Sequence, residues 1–147
     1  MMALLRCSVL YLAIAMSSIC AAQPAEAQTE NKAITRVLKS QFERQGATLR
    51  VAPISIVDDY AVVGWVQGSN GGRALLQKIN DHWEVQVCAG DGLKEESDLI
   101  LAGVDKAQAH ALATKVNRAE TSLPKPYLKQ LSTFQGSVKM SPAETGR

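Results

Sequence analysis

The chain has 147 residues, and its 16 basic and 14 acidic side chains give a formal charge of +2 at pH 7. No block of like charge is present that would follow a phosphate backbone or an anionic membrane surface. Nucleic acid and lipid surfaces are therefore poor candidates for partners.

The N-terminal segment is typical of a cleavable secretory signal. Arg6 gives it one positive charge, an apolar run extends over residues 9–16, and small residues precede a polar stretch. The run is shorter than the roughly 20 residues that span a bilayer, so we expect cleavage and no stable membrane anchoring. Small-x-small sites predict that the mature chain begins at Gln28 or Gln23, and residues 1–27 are assigned to the signal. The expected location is the bacterial periplasm or the medium, and roughly 120 residues remain for one domain.

The mature sequence begins with a predicted helix and continues as a predicted antiparallel meander. Apolar residues at helical spacing predict the helix over residues 31–45, with Gly46 as its stop. From Thr48 onwards the apolar period changes to two and is interrupted by turn residues, which predicts four strands joined as hairpins. The four strands are expected near residues 48–57, 60–67, 73–79 and 82–89.

Helical spacing returns after the fourth strand. It is brief across residues 93–102 and then runs from Asp105, which forms a capping-box pattern with Gln108, to about Ser122. A short turn after the two prolines at 124 and 126 is expected to pack back. The order predicts one α+β domain over residues 28–135, with a helix across a curved sheet broadly as in cystatin or NTF2 domains. Residues 136–147 are expected to form a disordered tail.

Strand alternation predicts which side chains share a face of the sheet. In the fourth strand it places Trp83, Val85 and Val87 on one face, with His82 and Cys88 on the opposite face. The second strand is apolar on both faces, which indicates a central strand that is covered on both sides.

Cys88 is the most informative single residue, because Cys7 and Cys20 leave with the predicted signal. In an exported protein the remaining thiol has two interpretations. It is a soft ligand for copper(I) or a thiol that pairs with a partner, or it is a small buried apolar residue. Met140 in the tail is either a further soft donor or an ordinary tail residue. His82 lies about 20 Å from Cys88 along an extended strand, so the two cannot share one ion.

Two further segments are candidate anion sites. Gly90-Asp91-Gly92 before a helix could direct backbone N–H groups at an anion, but a tight turn with Asp91 as a cap accounts for the same residues. Arg73 is the best available anion contact, and its alternative is a solvated arginine in a hairpin loop. No nucleophile elbow, HExxH or phosphate-loop spacing is present, so an enzyme is not expected.

Several of these residues form a recognisable pattern, which consists of Gly64-Trp65, Gly71-Gly72-Arg73-Ala74-Leu75-Leu76, Trp83 and Cys88-Ala89-Gly90-Asp91-Gly92-Leu93. In this pattern the chain resembles the copper uptake system-associated proteins, a family of small exported bacterial proteins, over residues 31 to about 122. The resemblance implies a periplasmic accessory to copper uptake that works with a periplasmic or membrane copper-transport protein. Cys88 is then the copper(I) contact, and Arg73, Asp91 and Trp65 are contacts for a partner or an anion.

The residues alone leave another function open. A non-metal binding module of cystatin or NTF2 type would hold a protein or a small ligand in the cleft between helix and sheet, or on the loop over residues 68–73. One thiolate on one subunit is not a complete metal site, since closed sites normally take three or four ligands.

Overall fold

A computed structural model describes residues 23–140 as an α+β domain built on a single five-stranded antiparallel sheet. The strands follow chain order across the sheet, β1-β2-β3-β4-β5. The elements are α1 (Gln23–Phe42), β1 (Arg50–Val57), β2 (Tyr60–Gln67), β3 (Asn70–Ile79), β4 (His82–Ala89), a short 3-10 helix (Asp91–Lys94), α2 (Glu96–Leu101), α3 (Lys106–Glu120), α4 (Lys125–Leu131) and β5 (Ser137–Lys139). None of the helices within residues 23–140 is long and apolar enough to cross a membrane.

One face of the sheet is covered by α1. Ile34 and Leu38, one helical turn apart, are fully buried and pack against the inward side chains of β2, β3 and β4. The described part of the helix spans Gln23 to Phe42, whereas helical spacing alone predicted residues 31–45. Cleavage before Gln28 would remove residues 23–27 from it, and cleavage before Gln23 would leave the described part whole.

The other face of the sheet is covered by α2 and α3. Leu99, Leu112 and Val116 pack there against Val62 and Leu75. The predicted cap of α3 is confirmed, because the Asp105 carboxylate accepts a hydrogen bond of 3.1 Å from the Gln108 N–H. The prediction that β2 is covered on both faces is also confirmed, since Val62 belongs to one core and Ala61 and Val63 belong to the other.

The sheet differs from the predicted meander in two places. It has five strands and not four, because Ser137–Lys139 pairs antiparallel with Val87–Ala89. The prediction of a disordered tail is therefore wrong for this short segment, and residues 141–147 lie outside the described part of the chain. The third strand begins at Asn70 and not at 73, so Gly71-Gly72-Arg73 belongs to β3 and not to a hairpin loop.

A bulge in β4 reverses the predicted position of Cys88. Leu75 pairs with Val87 and Leu76 pairs with Val85, which leaves Gln86 as an extra residue. Beyond the bulge the alternation shifts by one, so Val87 faces α3 and Cys88 faces α1 together with Trp83 and Val85. The prediction that Cys88 lies opposite Trp83 and Val85 is wrong for this reason.

Candidate binding pocket

A cavity of 410 Å³ lies where the end of α1, the sheet and β5 meet. Its lining is mostly apolar or sulfur-containing, with a few polar side chains. The apolar and sulfur-containing lining residues are Phe42, Leu49, Trp65, Cys88, Phe134, Val138 and Met140, and the polar ones are Gln41, Glu43, Arg44 and Gln67. We call this cavity the α1–sheet pocket.

One wall of the α1–sheet pocket is an aromatic pair. The rings of Trp65 and Phe134 meet edge to face, with centroids 5.9 Å apart and planes at 77°. Gly72 makes the pair possible, because a Cβ there would lie 2.8 Å from the Phe134 Cβ and 3.0 Å from the Trp65 Cζ2. Gly90 likewise leaves room for the Phe134 carbonyl oxygen. Because Gly72 and Gly90 have no side chains, the segment around Phe134 can pack directly against the sheet.

The two sulfur-containing side chains of the pocket come from β4 and from the residue that follows β5. Cys88 is only 7% exposed, and burial raises the pKa of its thiol to about 11, so the group is a neutral thiol at pH 7. Met140 follows β5, and its N–H donates a hydrogen bond of 2.8 Å to the Gln86 carbonyl oxygen. The thiol and the thioether therefore line the same cavity, although they are far apart in the sequence.

The polar side chains of the pocket are mostly engaged by the protein itself. Gln67 Nε2 donates to the carbonyl oxygens of Phe42 and Ala47, at 3.3 and 3.0 Å. The Glu43 carboxylate accepts from the Leu49 N–H at 2.9 Å and pairs with Lys39 at 3.5 Å.

Arg44 differs from these neighbours. It is exposed, it lines the pocket, and no carboxylate among residues 23–140 pairs with it.

Arg73 is not an exposed anion contact. Its side chain is 1% exposed, and it donates to the Glu120 carboxylate, from Nε at 2.6 Å and from Nη2 at 2.8 Å. Nη1 donates to Asp91 at 3.0 Å and to the Leu131 carbonyl oxygen at 3.3 Å. The hypothesis of a solvated loop arginine is wrong, and the position that an external anion would take at Arg73 is filled by the protein's own carboxylates.

The prediction that Asp91 caps the following helical turn is wrong, because Gly90 is the N-cap of the 3-10 helix and no side chain makes a cap hydrogen bond there. Asp91 instead forms ion pairs and hydrogen bonds within the protein. It receives hydrogen bonds from Arg73 and Ser132 and lies 3.3 Å from Lys94 Nζ. Partial burial alone would raise the pKa of Asp91, but the Ser132 hydrogen bond and the charges of Lys94 and Arg73 outweigh it and lower the pKa. A carboxylate here joins β3 and the 3-10 helix to the end of α4, and it would repel an added anion.

The two histidines of the chain do not line the α1–sheet pocket. His82 is exposed at the start of β4, and the exposed His110 ring lies 2.8 Å from a Glu96 carboxylate oxygen on the other side of the sheet. Within residues 23–140 no three histidine, cysteine, aspartate or glutamate side chains are grouped so that they could hold a metal ion. Trp65 lies in the α1–sheet pocket.

A second cavity, of 530 Å³, lies on the other side of β5. Its lining includes Asp91, Asp98 and Lys139, so it carries more charge than the α1–sheet pocket. Phe134 contributes to both cavities, and β5 alternates between them, with Val138 on one side and Ser137 and Lys139 on the other.

Three pocket residues, Trp65, Cys88 and Met140, are candidates from the sequence, but most of the pocket is not. Phe42, Leu49, Phe134 and Val138 come from four separate segments, and no motif links them. The available signal was the glycine pair Gly71-Gly72, because glycines inside a strand often mark a close approach of other chain. No model of a known protein family matches the chain, and neither a curated protein nor a solved structure matches it.

Proposed function

We propose that this is an exported, non-enzymatic binding protein that holds a small apolar molecule in the α1–sheet pocket. The observation that carries the proposal is the cavity of 410 Å³ between helix and sheet, walled by Trp65 and Phe134 and containing the neutral Cys88 thiol. Small-molecule sites typically enclose roughly 300–1,000 Å³ and are lined mainly by apolar and aromatic side chains.

The lining supports an uncharged ligand body. A charged group placed among Trp65, Phe134 and Cys88 would lose its hydration without gaining a partner of opposite charge. An apolar group has no favourable hydration to lose there, and its burial stabilises the complex by about 25 cal/mol per Å² of apolar surface. In this proposal the cleft between helix and sheet is used as in NTF2-type domains, and the export signal delivers the protein to the periplasm.

Titration with N-phenyl-1-naphthylamine, a neutral fluorescent apolar probe, tests this function. We expect saturable binding by the wild-type protein and loss of it in Val138→Trp, because an indole at position 138 would fill the pocket from β5. The matched control is Leu101→Trp, since Leu101 is exposed and lines only the second cavity. Equal binding by all three proteins would overturn the proposal.

Copper(I) is the second candidate cargo, and one observation favours it. Cys88 and Met140 place a thiol and a thioether in one cavity, and soft sulfur donors are the ligands that copper(I) prefers. The copper(I)–thiolate unit carries no net charge, so it suits an apolar pocket better than a free thiolate does. In this role the protein would be an accessory to copper uptake that passes the ion to a transport partner, which would complete the ligand set.

Competition with a coloured copper(I) chelator tests this second candidate. We expect Cys88→Ser to abolish binding, Met140→Leu to weaken it, and His82→Asn to leave it unchanged. Because the thiol proton must leave when the metal binds, the affinity should rise about tenfold per pH unit below the Cys88 pKa of about 11. Equal binding by the wild type and Cys88→Ser would exclude Cys88 as a ligand.

A further inference from the structure

We infer that the ligand of the α1–sheet pocket is an amphipathic monocarboxylate, with a single apolar chain or ring inside the pocket and its carboxylate on Arg44. This inference rests on the proposed binding function and adds the chemical class of the ligand. It follows from the charges of the pocket, taken residue by residue.

The inner part of the pocket has no charged group to offer. Trp65, Phe134 and Val138 are apolar, and the buried Cys88 is a protonated thiol at pH 7. The segment of the ligand that lies there is therefore uncharged. The volume of 410 Å³ falls near the lower end of the usual range of roughly 300–1,000 Å³, which suits one short chain better than a lipid with two acyl chains.

Two charged side chains line the pocket, and only one of them lacks a partner. Glu43 already accepts the Leu49 N–H and pairs with Lys39. Arg44, its neighbour in the chain, has no carboxylate partner among residues 23–140. An arginine that lines an apolar cavity and has no carboxylate partner is complementary to a molecule with an apolar body and one carboxylate, because a guanidinium binds carboxylates through charge-assisted, often bidentate hydrogen bonds.

The test compares octanoate with 1-octanol, which share a chain and differ in charge. Both are titrated by calorimetry at pH 7 into the wild type, Arg44→Gln and the control Arg36→Gln, an exposed arginine of α1 outside this pocket. We expect the wild type to bind octanoate about tenfold more tightly than 1-octanol. Arg44→Gln should remove that preference without weakening 1-octanol binding, and Arg36→Gln should change neither. Hexanoate should bind more weakly than octanoate, by about fourfold per methylene.

The possible failures are distinguishable. Equal binding of octanoate and 1-octanol, unaffected by Arg44→Gln, would overturn the inference and leave the apolar ligand function intact. No binding of either compound, together with no binding of the neutral naphthylamine probe, would overturn both. A third outcome is that the pocket is the contact face for a second copy of this chain. Sedimentation would then show a dimer, and octanoate binding would weaken as the protein concentration rises. This outcome would also overturn the inference.

Discussion

The Arg73 guanidinium and the Glu120 carboxylate meet in a buried, two-point ion pair, with Nε to Oε1 at 2.6 Å and Nη2 to Oε2 at 2.8 Å. The pair joins β3 to the end of α3. Through Nη1, Arg73 also holds Asp91 and the Leu131 carbonyl oxygen, so it fixes the end of α4. Phe134, which walls the α1–sheet pocket, follows this anchored segment directly, and its N–H donates to the Gly71 carbonyl oxygen at 3.0 Å.

Arg73→Met should destabilise the protein severely, because it leaves the buried Glu120 carboxylate without a partner. Removal of one member of a buried ion pair costs about 3–5 kcal/mol of unfolding free energy. Urea denaturation measures the loss. The double variant Arg73→Met/Glu120→Leu should recover much of it, and Arg36→Met on the surface of α1 should have little effect. A loss below about 1 kcal/mol for Arg73→Met would contradict the structural role of the pair.

Gly72→Ala should damage both stability and ligand binding. The added Cβ meets Phe134 and Trp65, so the aromatic wall must shift, and overpacking of this kind costs about 1–3 kcal/mol. The near-ultraviolet circular dichroism of Trp65 should change with it. Asn70→Ala, at the exposed start of the same strand, is the control and should stay within about 0.5 kcal/mol of the wild type. An unchanged spectrum in Gly72→Ala would show that the pair does not depend on this close approach.

Cys88 should make the protein less stable at alkaline pH. Below pH 9 the thiol is protonated in both the folded and the unfolded chain, so it contributes no pH dependence. Between the ordinary pKa of 9.0 and the folded value of about 11, only the unfolded chain releases the proton, and the free energy of unfolding falls as pH rises. The total loss is about 3 kcal/mol.

The comparison of the wild type with Cys88→Ala isolates this contribution. The pKa values of Lys78 and Tyr127 are also raised in the folded protein, and their effects are common to both proteins. Urea titrations at a series of pH values should show the stability difference between the two proteins changing only above pH 9. A constant difference up to pH 11 would mean that the thiol is not desolvated.

Glu30→Gln should weaken the attachment of α1 to the sheet at neutral pH. The Glu30 carboxylate accepts from Lys78 Nζ at 2.8 Å and from the Trp83 indole N–H, and these two bonds lower its pKa. The stabilisation is present above the ordinary pKa of 4.5 and is lost as the pH falls through the lower folded value. The Tm difference from the wild type should therefore be a few degrees at pH 7 and shrink towards pH 3.

Glu95→Gln is the matched control for this prediction. Glu95 is exposed, lies in the mature chain at either predicted cleavage site, and makes none of the ion pairs formed among residues 23–140. Its Tm should follow the wild type at every pH. If the Tm difference between Glu30→Gln and the wild type persists at pH 3, the substitution acts through packing and not through the charge of Glu30.

The regular elements were largely predictable from the sequence, because they depend on local periodicity. β2 and β4 have the predicted bounds, and α3 begins after the predicted cap at Asp105. β5 was missed because Ser137-Val138-Lys139 is short and exposed, and it forms a strand only because β4 offers a free edge. The alternation of apolar and polar residues also gave no sign of the bulge at Gln86. Because of this bulge, Cys88 lies on the face of the sheet that α1 covers.

The pocket and the buried ion pair depend on long-range contacts. Glu120 lies 47 residues from Arg73 in the chain, so no local pattern could pair them. The sequence draws attention to the thiol of Cys88 but not to its surroundings, because Phe42, Phe134 and Met140 reach the pocket from both ends of the domain. Resemblance to a copper-associated family pointed to the thiol, while the pocket around it points to an apolar ligand.

The central claim is that the α1–sheet pocket binds an apolar molecule, and nuclear magnetic resonance of the ¹⁵N-labelled protein tests it most directly. Titration with N-phenyl-1-naphthylamine should shift the Trp65 indole signal and the backbone amides of Cys88, Val138 and Met140 in a saturable way. The amide of Leu101, beside the second cavity, should not move. Saturable shifts confined to Leu101 and its neighbours, or no saturable shifts at any of these positions, would contradict the claim.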